Sequence, residues 1–369
     1  MSERTSENRD QLAAHAGQQV NPRRLPYPNA YPNGWYGVCL SSDLPPGRVV
    51  RRRLAGEDIV VYRTRSGLLR VVRPYCPHLG AHLGYGGAVD HENLVCPFHH
   101  FAYDSTGACV RTGYGTPPPP NLKLTLVESC EADGIILVWY DVKGNPSNWK
   151  VHDTVPSHLQ PRTCRTYTLR DHPQEVFENI ADRGHFGPIH KTILNSFSFE
   201  APDTETWFKA SWDARPAART NLGIWSATNF RVEVEGQGLG FASARVVIPK
   251  LGTHLRAWAV QVPIDPTHLE LRIGLRVERI FGQIAPRLLS RLIDRAFLVL
   301  QCKDVARDFP VWRNKIHQPR PRLVKGDGPI MEYRRWVRKF YYGELETPHA
   351  VTDNGDRART PVKNPSDMT

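Results

Sequence analysis

Two loop-like segments of the chain each pair one cysteine with one histidine. Cys76 and His78 form a Cys-x-His hook, and Cys96 and His99 form a Cys-x-x-His hook after a gap of seventeen residues. A proline follows each cysteine and several glycines separate the hooks, so the backbone can bend closely around an inorganic group. Iron, zinc, a disulfide or no ligand at all are the alternatives for this pattern.

The ligand types distinguish among these alternatives. Structural zinc sites favour hooks of two cysteines, whereas each hook here is mixed. A Rieske [2Fe–2S] centre binds one iron through two cysteines and the other through two histidines. The two hooks therefore predict such a cluster on Cys76, Cys96, His78 and His99. The remaining cysteines and nearby imidazoles lack this spacing and are interpreted as packing, solvated or supporting residues: Cys39, Cys109, Cys130, Cys164, Cys302, His82, His91 and His100.

A Rieske cluster transfers one electron and performs no substrate chemistry, so a second site is expected. In "ENIADRGHFGPIH", Asp182 and His185 are three residues apart and would be neighbours on a helix. Gly187 and Pro188 interrupt the regular turn and can bring His190 to the same metal. Two histidines and a carboxylate form the facial triad of non-haem Fe(II). Asp182 and a carboxylate far downstream compete for the third position.

The order of these motifs resembles the oxygenase component of the Rieske non-haem iron oxygenases. The similarity extends over about residues 33–343, and "GDGP" with "RRW" near its end is similar to the branch containing 3-ketosteroid 9α-hydroxylase and cholesterol 7-desaturase. Aminopyrrolnitrin oxygenase has a similar layout. The resemblance implies an α+β fold. An N-terminal all-β Rieske domain would precede a C-terminal helix-grip (START-like) catalytic domain, whose antiparallel sheet wraps a long helix.

The resemblance also implies roles for individual residues. His185 and His190 would bind the mononuclear iron. The family's third ligand lies four residues before a tryptophan, which here indicates Asp308 before Trp312, with Asp304 as the alternative.

Further implied roles concern electron transfer. Asp182 would hydrogen-bond a cluster histidine of the neighbouring subunit in a head-to-tail homotrimer, and Asn179 would lie near the iron. Pro310 departs from the family pattern, because a proline removes a helix hydrogen bond. A ferredoxin or an NAD(P)H-dependent flavin iron–sulfur reductase would supply electrons, and O2 would be the co-substrate.

The bulk composition limits the remaining classes. The chain has 369 residues and a net charge of +11. No apolar run is long enough to span a bilayer, and the polar N-terminus lacks a signal-peptide core. We therefore expect a cytoplasmic protein with reduced cysteines and no membrane span. The basic charge favours a solvated surface or docking of an acidic electron donor, and no nucleic-acid motif accompanies it.

Composition shifts predict the domain organisation. Residues 1–25 and 347–369 are predicted to be flexible, 33–150 to form the Rieske domain and 160–345 the catalytic domain. The polar, turn-rich stretch 141–163 marks the boundary. Helices are predicted from about Pro173 to His185 and from Ala285 to Phe309.

The predicted function is that of a terminal oxygenase that hydroxylates or desaturates a bulky apolar substrate, a steroid or sterol by the resemblance. Aromatic residues of the second half together agree with an apolar substrate, although each alone is better explained by core packing: Trp207, Trp212, Trp225, Phe230, Phe241 and Trp258. The alternatives are a natural-product tailoring oxygenase, which performs aromatic amine N-oxygenation or oxidative cyclisation, and an iron–sulfur electron carrier without oxygenase activity. A third alternative, a zinc-dependent DNA-binding protein, is suggested only by the basic net charge.

Overall fold

The computed structural model describes residues 31–217, 228–284 and 289–341. The segments predicted to be flexible, 1–25 and 347–369, lie outside these ranges, as does Trp225.

The N-terminal half is built from short antiparallel strands in three sheets. Its strands are β1 (Gly34–Leu40), β2 (Val49–Leu54), β3 (Glu57–Arg63), β4 (Leu69–Val72), β5 (Ala88–Asp90), β6 (Asn93–Val95), β7 (Ala102–Tyr103), β8 (Cys109–Arg111), β9 (Ser129–Ala132) and β10 (Ile135–Tyr140). They form the sheets β1-β10-β9, β2-β3-β4 and β5-β6-β7-β8. The first two sheets share one apolar core, while the third packs around the two Cys/His hooks.

The C-terminal half is a single large antiparallel sheet. Its strands are β11 (Cys164–Leu169), β12 (Thr192–Glu200), β13 (Trp207–Pro216), β14 (Phe230–Gln237), β15 (Phe241–Ile248), β16 (Thr253–Asp265), β17 (His268–Ile280) and β18 (Gln283–Ile284). The order is β11-β17-β16-β15-β14-β13-β12, with β18 paired to β17. β16 and β17 carry apolar side chains towards the core, because alternate residues of a strand face the same side.

Four α-helices accompany this sheet within the described residues: α1 (Pro173–Ala181), α2 (Ser290–Val305), α3 (Phe309–Asn314) and α4 (Ile330–Val337). Leu298 and Cys302 of α2 are buried in the core beneath the sheet. An ion pair between Arg276 of β17 and Asp294 of α2, 2.7 Å long, ties the helix to the sheet. The long helix lying on an antiparallel sheet is the arrangement that the resemblance implied.

Both predicted helices are shorter than expected. The first ends at Ala181 instead of His185, because the Asp182 carboxylate accepts hydrogen bonds from the backbone N–H groups of Gly184 and His185, which competes with the helical pattern. The second was predicted to run unbroken to Phe309, but α2 ends at Val305 and α3 begins a new turn. Residues 285–288, at its predicted start, lie outside the described ranges.

The two halves share an apolar interface. Phe241, Trp258 and Val260 of the large sheet pack with residues of β1, β9 and β10 in one cluster. Gly37 of β1 allows this close approach, because a Cβ there would lie 2.1 Å from Val260. The Trp258 indole N–H also donates to Asp133 at 2.9 Å. The connection from β10 to β11, residues 141–163, contains one short 3₁₀ turn at Ser157–Leu159.

Candidate active site

The two Cys/His hooks lie on neighbouring loops with closely similar backbones. Each loop closes with a hydrogen bond from the cysteine N–H to the residue five positions on: Cys76 to Ala81 at 2.8 Å and Cys96 to Phe101 at 2.9 Å. The fourth residue after each cysteine has a positive φ, 76° at Gly80 and 55° at His100. The two segments are therefore turns of matching backbone geometry.

The donors in these turns are arranged by type. Cys76 and Cys96 are buried free thiols, whereas His78 and His99 are half-buried, with their rings 5.0 Å apart. Burial raises the pKa of the Cys96 thiol, and the neighbouring Cys76 adds to this effect. Two inner thiols and two outer imidazoles have the donor chemistry of a Rieske cluster, so the residues present fit that group.

Aromatic side chains enclose this site. Phe101 stacks on the His78 ring at 4.2 Å and 9°, and the Tyr103 hydroxyl lies 2.9 Å from Cys76 Sγ. Burial, together with the Cys76 contact, raises the pKa of Tyr103, so the phenol stays protonated and can donate to a thiolate. Sequence reasoning missed both aromatic residues, since no local spacing links them to the ligands.

The spare histidines occupy different environments. His82 is half-buried, with Nε2 3.2 Å from the Asp58 carboxylate. His91 and His100 are exposed, and both have positive φ angles. None of the three lies among the four donors of the predicted cluster.

A second group of potential ligands forms where β12 begins and α2 ends. His185, His190 and Asp308 each place a ligand atom within 4.8 Å of the others. The chain from His185 to Lys191 runs through helical turns, with hydrogen bonds from Ile189 N–H to His185 and from Lys191 N–H to Gly187. These turns bring His190 back beside His185. The interruption expected at Gly187 and Pro188 is not seen, because Gly187 is helical and the hydrogen bonds run across both residues. A cluster of two imidazoles and a carboxylate has the donor set of a mononuclear Fe(II) site.

The electrostatics of the two imidazoles differ. Nδ1 of His185 lies 2.6 Å from the carbonyl oxygen of Asp182, and burial lowers the pKa of this histidine. Burial also lowers the pKa of His190, but the carboxylates of Asp304 and Asp308 outweigh it and raise the value to about 9. Without a metal, His190 is therefore held as a cation between two carboxylates.

Asp308 and Asp304 occupy distinct positions around His190. The Asp308 side chain is 7% exposed and its Oδ2 lies 3.3 Å from Nε2, whereas Asp304 is 48% exposed and lies 3.3 Å from Nδ1. Pro310 causes no distortion, because it occupies the first turn of α3, where backbone N–H groups have no helical partner. The geometry favours Asp308 as the third ligand.

Asp182 and Asn179 lie next to this group. The Asp182 side chain is 34% exposed and its Oδ2 is 3.8 Å from Nδ1 of His185. It stands just beyond the end of α1, not on a helix as the spacing predicted. Asn179 is half-buried on the last turn of α1. Their roles in electron transfer and near the iron stay predictions.

A loop that sequence reasoning linked only to the resemblance supports the Asp182 turn. The Asp327 carbonyl accepts a hydrogen bond from the Arg183 N–H at 2.9 Å, and the Asp327 carboxylate closes its own loop by accepting from Val324 N–H at 2.7 Å. Gly328 has φ 95°, and a Cβ there would lie 2.4 Å from the Ala181 carbonyl oxygen. In the sequence, only Gly328 itself could have indicated the close approach to Ala181.

Three of the aromatic residues expected to agree with an apolar substrate lie in two different places. Trp212 reaches the second ligand group through Phe186, whose ring is 5.1 Å from it. Phe241 and Trp258 belong to the interface between the halves. Beside Phe186 lies an open cavity of about 490 Å³, which Arg183 and Lys325 also line.

Two family models match the chain in succession. Residues 34–123 match the Rieske [2Fe-2S] domain, and residues 138–341 match the 3-ketosteroid 9alpha-hydroxylase C-terminal domain. The second match alone covers more than half of the chain. The chain belongs to the Rieske oxygenase family. It is therefore an oxidoreductase whose cofactors are a Rieske [2Fe–2S] cluster and a mononuclear iron.

Relatives of this Rieske oxygenase include proteins named as monooxygenases and desaturases. Cholesterol 7-desaturase of Drosophila melanogaster is 30% identical over 356 residues, covering 89% of this chain and 79% of the relative. A probable 3-ketosteroid-9-alpha-monooxygenase oxygenase component of Rhodococcus rhodochrous is 26% identical over 331 residues, covering 85% and 81%.

The fold of this Rieske oxygenase agrees with that of solved structures. Dicamba monooxygenase bound to dicamba superposes with a TM-score of 0.64 at 16% identity, covering 84% of this chain and 96% of that one. Among the residues that the structure describes, no helix has the length and apolar character needed to cross a bilayer.

Proposed function

We propose that this Rieske oxygenase is the terminal oxygenase of a multi-component system that hydroxylates or desaturates a substrate of the steroid class. The observation that carries the proposal is the group of His185, His190 and Asp308, whose ligand atoms lie within 4.8 Å of one another. An electron carrier has no need of such a site. The substrate class is supported by the names of the sterol and ketosteroid relatives.

In this proposal Cys76 and Cys96 hold one cluster iron, His78 and His99 hold the other, and His185, His190 and Asp308 hold the mononuclear iron. When bound, these groups supply O2 activation with electrons from the cluster. The chain's own residues orient the donors. The Asp182 carbonyl engages Nδ1 of His185, which leaves Nε2 as the nitrogen available to a metal shared with His190 and Asp308.

Water exclusion around the ligand group is uneven. Phe186 is buried beside His185, with ring centroids 4.5 Å apart, and Trp212 packs behind it. Asp308 is nearly fully buried, so little water competes for its carboxylate with a cation bound at this site. The open cavity lies against this wall at Phe186, and Leu194, Arg183 and Lys325 also line it.

The proposed assembly is a head-to-tail homotrimer in which Asp182 bridges the two metal centres across the subunit interface. Two features support it. Large aromatic and apolar side chains around the cluster loops are exposed, which is typical of a surface that another protein covers: Tyr75, Leu79, Tyr85, Phe98 and Tyr114. The Asp182 carboxylate is also partly exposed at the surface of the catalytic half.

The redox partner is a ferredoxin or an NAD(P)H-dependent flavin iron–sulfur reductase, since an oxygenase component of this family receives its electrons from a separate protein. The proposed location is the cytoplasm. All seven cysteines are free thiols in the structure, which agrees with a reducing compartment.

The first experiment is the electron paramagnetic resonance (EPR) spectrum of anaerobic, dithionite-reduced protein, with iron counted in the same sample. The proposal expects a Rieske signal with about three irons per chain. Turnover is then tested on a panel of sterols, 3-ketosteroids and aromatic amines with a surrogate reductase. A Rieske signal with about two irons and no turnover would indicate an electron carrier, and turnover of amines alone a tailoring oxygenase.

His185→Ala provides the matched variant. It should lower the iron content to about two per chain, leave the Rieske signal intact and abolish oxygenation. His158→Ala, at an exposed histidine in the connection between the halves, is the control. Retained turnover in His185→Ala would show that the mononuclear site is elsewhere.

A further inference from the structure

Two carboxylates one helical turn apart contact opposite nitrogens of the same imidazole. Oδ2 of Asp308 lies 3.3 Å from Nε2 of His190, and Oδ2 of Asp304 lies 3.3 Å from Nδ1. A histidine binds a metal through one ring nitrogen and leaves the other for a partner. Since Asp308 belongs to the ligand group, the Nε2 side faces the metal and Nδ1 faces away.

The nitrogen that faces away is buried and has no partner in hydrogen-bonding geometry among the described residues. A buried imidazole N–H without a partner carries a desolvation cost of about 1–3 kcal/mol. The Asp304 carboxylate is already at 3.3 Å from this nitrogen, and its side chain is half-exposed. At this distance a change in the orientation of the carboxylate is enough to form a charge-assisted hydrogen bond from Nδ1–H.

Arg307 holds this carboxylate near His190. Its Nη1 lies 3.3 Å from Asp304 Oδ1 and also donates to the backbone carbonyl of His190 at 3.0 Å. The Arg307 guanidinium thus connects the Asp304 carboxylate with the backbone of His190. His185 has a different support, because its Nδ1 contacts the neutral carbonyl of Asp182.

We propose that Asp304 is a positioning residue for His190: it accepts the Nδ1–H bond, fixes the tautomer that presents Nε2 to the iron, and does not itself bind the metal. A carboxylate in this place increases the basicity of the imidazole ligand, and losing such a partner lowers metal affinity about 10- to 100-fold. The inference rests on the proposed function, since it requires mononuclear iron at His185, His190 and Asp308.

The test is an anaerobic Fe(II) titration of protein depleted of mononuclear iron, against a competing chelator, with cluster content followed by its visible absorbance. Asp304→Asn retains an acceptor and should raise the Kd for iron about 10-fold, and Asp304→Ala removes it and should raise the Kd towards 100-fold. Asp308→Asn should bind no mononuclear iron. Asp203→Asn, an exposed aspartate that pairs with Arg335 at 3.4 Å, is the matched control.

A second readout separates positioning from general stability. The EPR spectrum of the nitric oxide adduct reports the mononuclear iron alone while the oxidised cluster is silent, and its rhombicity should change in both Asp304 variants. The thermal unfolding midpoint of the iron-depleted protein should not change.

Unchanged iron affinity in Asp304→Ala would overturn the inference, as would a fall in the unfolding midpoint that accounts for the loss of iron. Loss of all iron in Asp304→Ala with retention in Asp308→Asn would make Asp304 the ligand instead. A wild-type protein that takes up no mononuclear iron would overturn the proposed function and this inference with it.

Discussion

The backbone carbonyl of Asp182 lies 2.6 Å from Nδ1 of His185, so the residue just beyond helix α1 orients the first imidazole of the candidate iron site. The side chain of the same residue does something else. Its Oδ1 accepts from the backbone N–H of Gly184 at 2.8 Å, while Oδ2 is 3.8 Å from the imidazole and the side chain is partly exposed. Backbone and carboxylate of Asp182 can therefore be separated experimentally.

Asp182→Asn should retain both metals yet lose activity. The amide oxygen can still accept from Gly184 and the carbonyl still orients His185, so iron content and the Rieske spectrum should be unchanged. Product formed per reduced chain in a single turnover should fall about 10- to 100-fold if the carboxylate relays the electron. Asp203→Asn controls for the loss of one negative charge, and normal turnover in Asp182→Asn would contradict the bridging role.

Tyr103→Phe should lower the reduction potential of the cluster. The phenol lies 2.9 Å from Cys76 Sγ, and a hydrogen bond to sulfur stabilises the more negative, reduced state. Such a bond to a charged group is worth about 1.5 kcal/mol or more, and about 1.4 kcal/mol corresponds to about 59 mV for a one-electron couple. A redox titration followed by EPR should show a shift of tens of millivolts.

Tyr62→Phe is the matched control for Tyr103→Phe. Tyr62 is fully buried in the same core, and its hydroxyl has no hydrogen-bond partner among the described residues. Its removal should leave the potential unchanged. Equal shifts in the two variants would show that core packing, not the hydrogen bond, sets the effect.

Gly328→Ala should distort the turn that carries Asp182. The new Cβ would lie 2.4 Å from the Ala181 carbonyl oxygen at a φ of 95°, so both the loop and the end of α1 must move. We expect a loss of roughly 1–3 kcal/mol in stability together with reduced mononuclear iron content and unchanged cluster content.

Gly326→Ala separates the two causes in Gly328→Ala. Gly326 also has a positive φ, 120°, but a Cβ there meets nothing within 4 Å. Gly326→Ala should therefore introduce the same kind of backbone strain but retain its mononuclear iron. Comparable iron loss in the two variants would mean that the strained loop alone matters, not its contact with Ala181.

Asp171→Asn should change how stability depends on pH. Burial raises the pKa of Asp171 from 3.8 to about 7, and its Oδ2 has no hydrogen-bond partner among the described residues. The folded state therefore binds this proton more tightly than the unfolded state. The resulting stability is fully present below about pH 4 and is lost as the pH rises through about 7.

Asparagine imitates the protonated acid, so the variant should match the wild type near pH 4 and exceed it at pH 8 by roughly 2 to 4 kcal/mol. Thermal unfolding midpoints across this pH range provide the measurement, with Asp203→Asn as the control for net charge. Parallel pH profiles for the wild type and Asp171→Asn would contradict the prediction, because they would mean that folding does not raise the pKa of Asp171.

The sequence alone determined the features that depend on local chain geometry. Cys76 with His78, and Cys96 with His99, are close in the chain, so their spacing indicated a shared centre before any fold was known. His185 and His190 are likewise close in the chain, so the sequence indicated that both imidazoles could reach one site. Both features follow from turns of a few residues, which side-chain type and glycine or proline content largely specify.

Tertiary structure decided what depends on distant segments meeting. The sequence indicated Asp308 with Asp304 as the alternative, four residues apart, and only the tertiary structure places one at Nε2 and the other at Nδ1 of His190. The end of α1 at Ala181, the Tyr103 contact with Cys76 and the placement of Trp258 between the two halves were equally invisible in the sequence. Spacing in the sequence specifies which ligands can lie in one turn. Contacts between different turns depend on residues far apart in the chain, so they form only when the sheet and its helices pack together.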